Sequence, residues 1–132
     1  MFFLLVDPCH GYLTFNATDR NLANVNPSNA PHCDSFQGTH WHRFQGVAGT
    51  RLPTQCPPIG SELPSYPVWL NVTENRLPRK GEGVKEGIIV CLTFVHVCCK
   101  HHFKIRVKNC SSYLVYRLHR IPWCPYRYYG TN

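Results

Sequence analysis

Acidic residues are scarce in this 132-residue chain, 7 Asp and Glu against 14 Lys and Arg, and none follows Glu86. A chain so short of acid has few carboxylates for paired acid/base chemistry and few for a divalent-cation cage. No apolar run approaches the roughly 18–20 residues a spanning helix needs. Charge of either sign is low, 16% against 43% hydrophobic residues, which excludes a disordered tail. The motifs of common enzymes are also missing: G-x-S-x-G, the P-loop, G-x-G-x-x-G and H-E-x-x-H do not occur. The length suits one domain. The 11 Pro and 9 Gly break up long helices, so neither a helical bundle nor a nucleotide-binding α/β enzyme is expected.

What is abundant is cysteine: Cys9, Cys33, Cys56, Cys91, Cys98, Cys99, Cys110 and Cys124. That density belongs to small secreted modules. Structural zinc sites pair ligands two to four residues apart, and no gap here fits. Cys98 and Cys99 are adjacent, a poor geometry for joint chelation, and each is expected to reach a different partner. Eight cysteines form four disulfides in any of 105 ways, and the residues alone leave the connectivity open. The opening Met1-Phe2-Phe3-Leu4-Leu5-Val6 has neither a basic flank nor a cleavage site and does not qualify as an export signal. The expectation is a fragment or incomplete gene model whose signal lies elsewhere.

Along the chain, Thr14 to Pro31 is polar, Asn-rich and aperiodic, and reads as an extended loop with one helical turn near Asp19 to Leu22. Thr39 to Phe44 alternates as a strand. Pro53 to Pro67 holds five prolines and must be irregular. Val68-Trp69-Leu70 is a short buried strand, and Thr73 to Gly87 a solvated loop. Ile88 to Val95 is a continuous β-branched run suited to a strand buried on both faces. Phe103 to Lys108 alternates strictly, three apolar residues on one face and Lys104, Arg106 and Lys108 on the other. A turn at Ser111-Ser112 leads to Tyr113 to Leu118, a strand expected to pair with the previous one. The fold class is mainly β: a small, disulfide-stapled, loop-rich single domain with antiparallel strands.

Three sequons occur, at Asn16, Asn71 and Asn109. Asn71 and Asn16 are the expected glycosylation sites, because the middle residue of the third is Cys110. The Lys104, Arg106 and Lys108 face is either merely solvated or a surface for polyanions such as anionic glycans. Nucleic acid is excluded by the oxidising compartment. His40 and His42 share a strand side and His101-His102 are adjacent, yet no carboxylate stands near them in sequence, so no metal site and no cofactor is expected. Trp41, Trp69 and Trp123 are expected in the core.

Ordered marks run through the chain: Asp7-Pro8-Cys9-His10-Gly11-Tyr12, Cys33-Asp34, Trp41-His42-Arg43-Phe44-Gln45-Gly46, Gly49-Thr50-Arg51-Leu52-Pro53 before Cys56-Pro57-Pro58, Pro67-Val68-Trp69-Leu70-Asn71, Cys98-Cys99, Val107-Lys108-Asn109-Cys110, and Tyr113-Leu114-Val115-Tyr116-Arg117-Leu118 before Cys124. This set resembles the cysteine-rich domain of uromodulin and uromodulin-like extracellular glycoproteins, shared with the pancreatic zymogen-granule membrane glycoprotein. The resemblance covers 7–129, with 1–6 an apolar stub and 130–132 a short tail. It implies the pairs Cys9–Cys110, Cys33–Cys124, Cys56–Cys98 and Cys91–Cys99. It also implies a secreted or cell-surface, non-catalytic module, with EGF-like and zona pellucida modules as its neighbours in a parent protein. The alternative is a stand-alone secreted basic protein that binds anionic glycans or microbial surfaces.

Two departures stand out. The family commonly has a further cysteine near Gly60-Ser61-Glu62-Leu63 and another near Tyr128-Tyr129, partners of each other, and both are missing here. The uromodulin sequon whose mannose-rich glycan bacterial fimbrial lectins recognise falls on Tyr116 to His119, where Arg117 stands in place of Asn.

Overall fold

The computed structural model describes residues 7–34, 40–57, 63–73 and 75–132. Seven strands are found among them: β1 (Leu13–Phe15), β2 (Trp41–Phe44), β3 (Tyr66–Asn71), β4 (Lys85–Phe94), β5 (Val97–Asn109), β6 (Leu114–Arg117) and β7 (Tyr126–Arg127). They form one sheet in the order β1-β2-β6-β5-β4-β3-β7. The expected strands are there, and β4–β5 is a long hairpin closed by Val95-His96. β5 pairs with β6 as the Ser111-Ser112 turn foretold, with Arg106 opposite Arg117 and Val107 opposite Tyr116.

The antiparallel expectation holds for the sheet's centre and not for its edges. β1 runs parallel to β2, and β7 parallel to β3. Neither edge strand carries a period long enough to read: β1 has three residues inside a polar stretch and β7 has two. The rest of the stretch expected as a loop holds two 3₁₀ turns, Thr18–Arg20 and Leu22–Asn24. Of the Pro53 to Pro67 stretch, residues 58–62 lie outside the described set, as does Thr39.

One sheet face builds the core. Val68, Leu70, Ile88, Val90, Leu92, Ile105, Val107 and Tyr116 are each at most 2% exposed. Leu52, Leu118, Ile121, Tyr126 and Tyr128 pack onto that face from loops and β7. Burying such side chains is worth about 1.5–3 kcal/mol each, which makes this layer the main stabilising term. Tyr116 is wholly buried, and its hydroxyl accepts the Leu52 N–H at 3.2 Å. Burial pushes its phenol far above the ordinary range. β4 is buried on both faces only over Val90 to Thr93; Ile89 on the outer face is half-buried.

Residues 130–132, expected as a tail, are woven into the fold. Gly130 bridges Asn21, and Thr131 bridges Arg51. A Cβ on Gly130 would collide with the Ala48 carbonyl oxygen and lie 2.7 Å from Phe44 Cδ1, so the chain can pass here only without a side chain. Tyr128 and Tyr129, at the place where the family cysteine is missing, are fully buried.

Beneath this end of the sheet lies a polar network that nothing in the local pattern announces. Arg20 donates to Asp34 at 2.8 and 3.2 Å and to the Tyr128 carbonyl at 2.8 Å. Asp34 Oδ2 in turn accepts the Tyr128 N–H at 2.7 Å. Asp34 is 8% exposed.

Candidate functional site

The cysteines come first, because they hold the rest in place. Four disulfides join Cys9–Cys110, Cys33–Cys124, Cys56–Cys98 and Cys91–Cys99, the same four pairs the resemblance implies. Two link residues 101 and 91 positions apart and so tie the N-terminal third to the far end of the chain. The adjacent pair Cys98 and Cys99 reaches two different elements, as expected: the loop after Pro53 and strand β4. Cys91–Cys99 braces the β4–β5 hairpin itself.

Opposite the core, the sheet presents a polar face. Antiparallel partners share a face, so Asn71, Ile89 and Lys104 form one row, and Trp69, Cys91 and His102 the next. Beyond them, Arg106, Arg117 and Trp41 form a third row. Lys104 and Arg106 are exposed, as the alternation required. Although no acid follows Glu86 in sequence, the fold brings two carboxylates to this face. Arg106 Nε lies 2.9 Å from Glu86, and Lys108 Nζ 3.1 Å from Asp7. Glu86 is the strand neighbour across a bulge at Gly87, and Asp7 is delivered by the Cys9–Cys110 bridge. The Asp7 carboxyl is held below its ordinary range by the Cys9 N–H and Lys108. Lys108 thereby belongs to a structural contact, while Arg117, absent from the sequence reading of this face, joins Lys104 and Arg106.

Strands β5 and β6 stop pairing at Arg106 and Arg117. Where they part, a groove of about 220 Å³ opens, lined by Lys104, Ile105, Arg106, Arg117, Leu118 and His119. Beside it, on the core side of β5, Phe103 and His101 are covered by rings from the segment after β6. His119 stacks on Phe103 at 3.9 Å, and Trp123 on His101 at 3.9 Å. Trp123 remains 42% exposed. The core expectation for tryptophan is therefore overturned for Trp123, while Trp41 and Trp69 are half-buried on the outer face. The Trp69 indole N–H donates to the Cys98 carbonyl at 2.8 Å. The aromatics that do fill the core are tyrosines and Phe44.

The histidines do not assemble. Among the described residues, no three His, Cys, Asp or Glu side chains converge as metal ligands. His40 is exposed, whereas His42 is buried and stacked on Phe15 at 4.6 Å. Burial pushes the His42 imidazole down to about 4. Its folded value thus lies below the ordinary 6.5, and the unfolded chain binds the proton more readily between the two. Stability is then complete above about pH 6.5 and falls as the pH drops toward 4, by up to ~3 kcal/mol from this one group. Urea midpoints measured from pH 7.5 to 4 are expected to show this slope, and His42→Phe to flatten it; an equal slope in both proteins refutes the assignment.

Of the sequons, Asn71 stands at the end of β3, its Oδ1 accepting the Thr73 hydroxyl at 2.7 Å and the Thr73 N–H at 3.2 Å. Asn16 is exposed after β1. Asn109 is engaged: its amide nitrogen donates to the Pro78 carbonyl at 3.2 Å.

Comparison with known proteins decides the family. The family model for the uromodulin-like domain matches residues 42–130. The chain belongs to the uromodulin-like domain family. Three of its relatives carry the name pancreatic secretory granule membrane major glycoprotein GP2. The human protein is 32% identical over 123 residues, 92% of this chain and 22% of its own length. The dog protein is 32% identical over 123 residues and the mouse protein 32% over 126, each covering 92% of this chain and 23% of the relative. This uromodulin-like chain thus spans about a fifth of the length of the curated relatives it matches. No helix among the described residues is long and apolar enough to cross a membrane.

Proposed function

We propose that this uromodulin-like chain is a non-catalytic extracellular module of a larger glycoprotein: a rigid, disulfide-bonded spacer that carries a glycan on Asn71. The observation that carries the reading is the cysteine framework. All eight cysteines are bonded. A framework of this density is stable in an oxidising compartment, secreted or on the outer cell surface. It also leaves no thiol for nucleophilic chemistry. Bridges that join both ends of the chain to one sheet make a stiff unit, suited to holding neighbouring modules apart. EGF-like and zona pellucida modules are the neighbours the family resemblance implies. The word glycoprotein in the relatives' name supports glycan attachment, and Asn71, in a tight turn where β3 leaves the sheet, is the first choice. Asn16 is the second.

The test is secretion of the chain from a eukaryotic cell behind a supplied export signal. Mass spectrometry of the unreduced, alkylated product is expected to show no alkylation and the mass of attached glycan. Asn71→Gln is expected to lower the mass by one glycan. Two or more alkylated cysteines refute the framework, and an unchanged mass refutes the Asn71 site. A parent transcript encoding flanking EGF-like or zona pellucida modules supports the module; a signal peptide and stop codon around this domain alone overturn it in favour of a stand-alone protein.

A further inference from the structure

We propose that the groove between β5 and β6 binds a linear sulfated polysaccharide of the heparin type, gripped on the outer face by Lys104, Arg106 and Arg117 and passing over the edge of β5, where β6 no longer pairs with it, to the rings of His119 and Trp123 on the core side. Three observations converge on that chemistry. The groove's side chains include three fixed cations and His119, and the carboxylate found on them among the described residues is Glu86, itself 68% exposed and bound to Arg106 alone. The groove is about 220 Å³ and open to solvent, so an extended chain can lie along it. His119 belongs to both the groove and the ring row: its ring covers Phe103, whose ring centre lies 6.0 Å from that of Trp123.

A sulfated sugar presents two kinds of surface that match this layout. Its anions take charge-assisted hydrogen bonds from guanidinium and ammonium groups. Its C–H faces are apolar and pack on exposed aromatic rings, which offer rigid contact area at little entropic cost. An acidic peptide would use the cations and leave the rings idle. An anionic membrane would seek a flat face with apolar side chains to insert. The exposed apolar trio Phe94, Val95 and Val97 lies at the hairpin tip, seven or more residues along β5 from Lys104, roughly 20 Å away. Lys108, 23% exposed, held by Asp7 and not among the residues lining the groove, takes no part.

The experiment titrates the secreted, fully oxidised chain at low salt with three probes: a heparin dodecasaccharide, poly-L-glutamate and phosphatidylserine vesicles. Far-ultraviolet circular dichroism and thiol counting establish that each variant is folded. Lys104→Ala with Arg117→Ala is expected to weaken heparin binding about tenfold or more, and Lys108→Ala to change it less than about twofold. Trp123→Leu is expected to weaken heparin binding about threefold or more and to leave binding of poly-L-glutamate unchanged. Equal losses from Lys108→Ala and the groove variant would make the attraction one of overall charge and overturn the site. Vesicle binding without heparin binding overturns the ligand class, as does poly-L-glutamate binding as tightly as heparin with Trp123→Leu silent. Failure here leaves the module reading standing, since that reading is judged by thiol count and glycan mass.

Discussion

Replacing Cys9 and Cys110 together by serine is expected to cost about 4–5 kcal/mol of stability and to lower the melting temperature by roughly 10–20 °C. The bridge spans 101 residues, so its loss restores much chain freedom to the unfolded state. Residues 7–12 have few other ties. The Tyr113 hydroxyl donates to the Cys9 carbonyl at 2.8 Å, and Lys108 meets Asp7 at 3.1 Å. Arg43 lies over the Tyr113 ring at 3.6 Å and donates to the Tyr12 hydroxyl at 2.8 Å. These contacts are half-exposed, and surface ion pairs contribute about 0–1 kcal/mol. The comparison is Cys91→Ser with Cys99→Ser. That bridge spans only 8 residues across a hairpin already held by β4–β5 pairing, and its loss is expected to cost about 2–3 kcal/mol. Urea unfolding of the two double variants, with the other bridges verified intact, checks the order; a larger loss from the short bridge would show that native packing around Cys91, not loop closure, governs these disulfides.

Asp34→Ala is expected to destabilise the domain by about 3–5 kcal/mol, the scale seen when one partner of a buried ion pair is removed. Asp34 answers two donors at once, the Arg20 guanidinium and the Tyr128 N–H. Without it, Arg20, whose side chain is 12% exposed, keeps its charge near the Tyr128 carbonyl, the Phe15 ring at 4.0 Å and, at longer range, the Asp19 carboxylate. Asp34→Asn retains an acceptor for one donor and is expected to cost visibly less than alanine. Arg20→Met combined with Asp34→Ala removes both charges and is expected to recover part of the loss, since the pair's desolvation cost disappears with it. Thermal melts of the wild type, Arg20→Met, Asp34→Ala and the double variant form the double-mutant cycle, with Asp34→Asn beside them; purely additive losses would mean that Asp34 acts through the backbone of Tyr128 alone.

How far the sequence reached follows from the range of each interaction. Strand β5 was legible because Phe103 to Lys108 alternates with the strand's own period of two, a local rule that burying Ile105 and Val107 enforces. The turn into β6 was legible for the same reason, its partner being close along the chain; the β4–β5 hairpin was not, because residues 97–102 carry no apolar alternation and the fold extends β5 back to Val97. The even cysteine number and the absence of acid after Glu86 are properties of composition, and they bounded the compartment and the charge of the late strands. The choice among 105 pairings came from family resemblance, because no periodicity encodes which sulfurs meet.

The tertiary structure decided whatever depends on distant residues meeting. The parallel edges β1–β2 and β3–β7 join short segments with no pattern of their own. Asp34 looked like the residue after a cysteine until Arg20 and Tyr128 closed on it. Gly130 is required by the Ala48 backbone, more than eighty positions earlier. Trp123 left the core because the segment after β6 lays it over His101, where it stays 42% exposed. The cationic face changed membership in the same way. Lys108 was drawn to Asp7 by a bridge 101 residues long, and Arg117 entered because antiparallel register sets it opposite Arg106. Alternation assigns a side chain to a face; only the folded chain, by bringing strands and bridges together, settles which charges on that face remain available to a ligand.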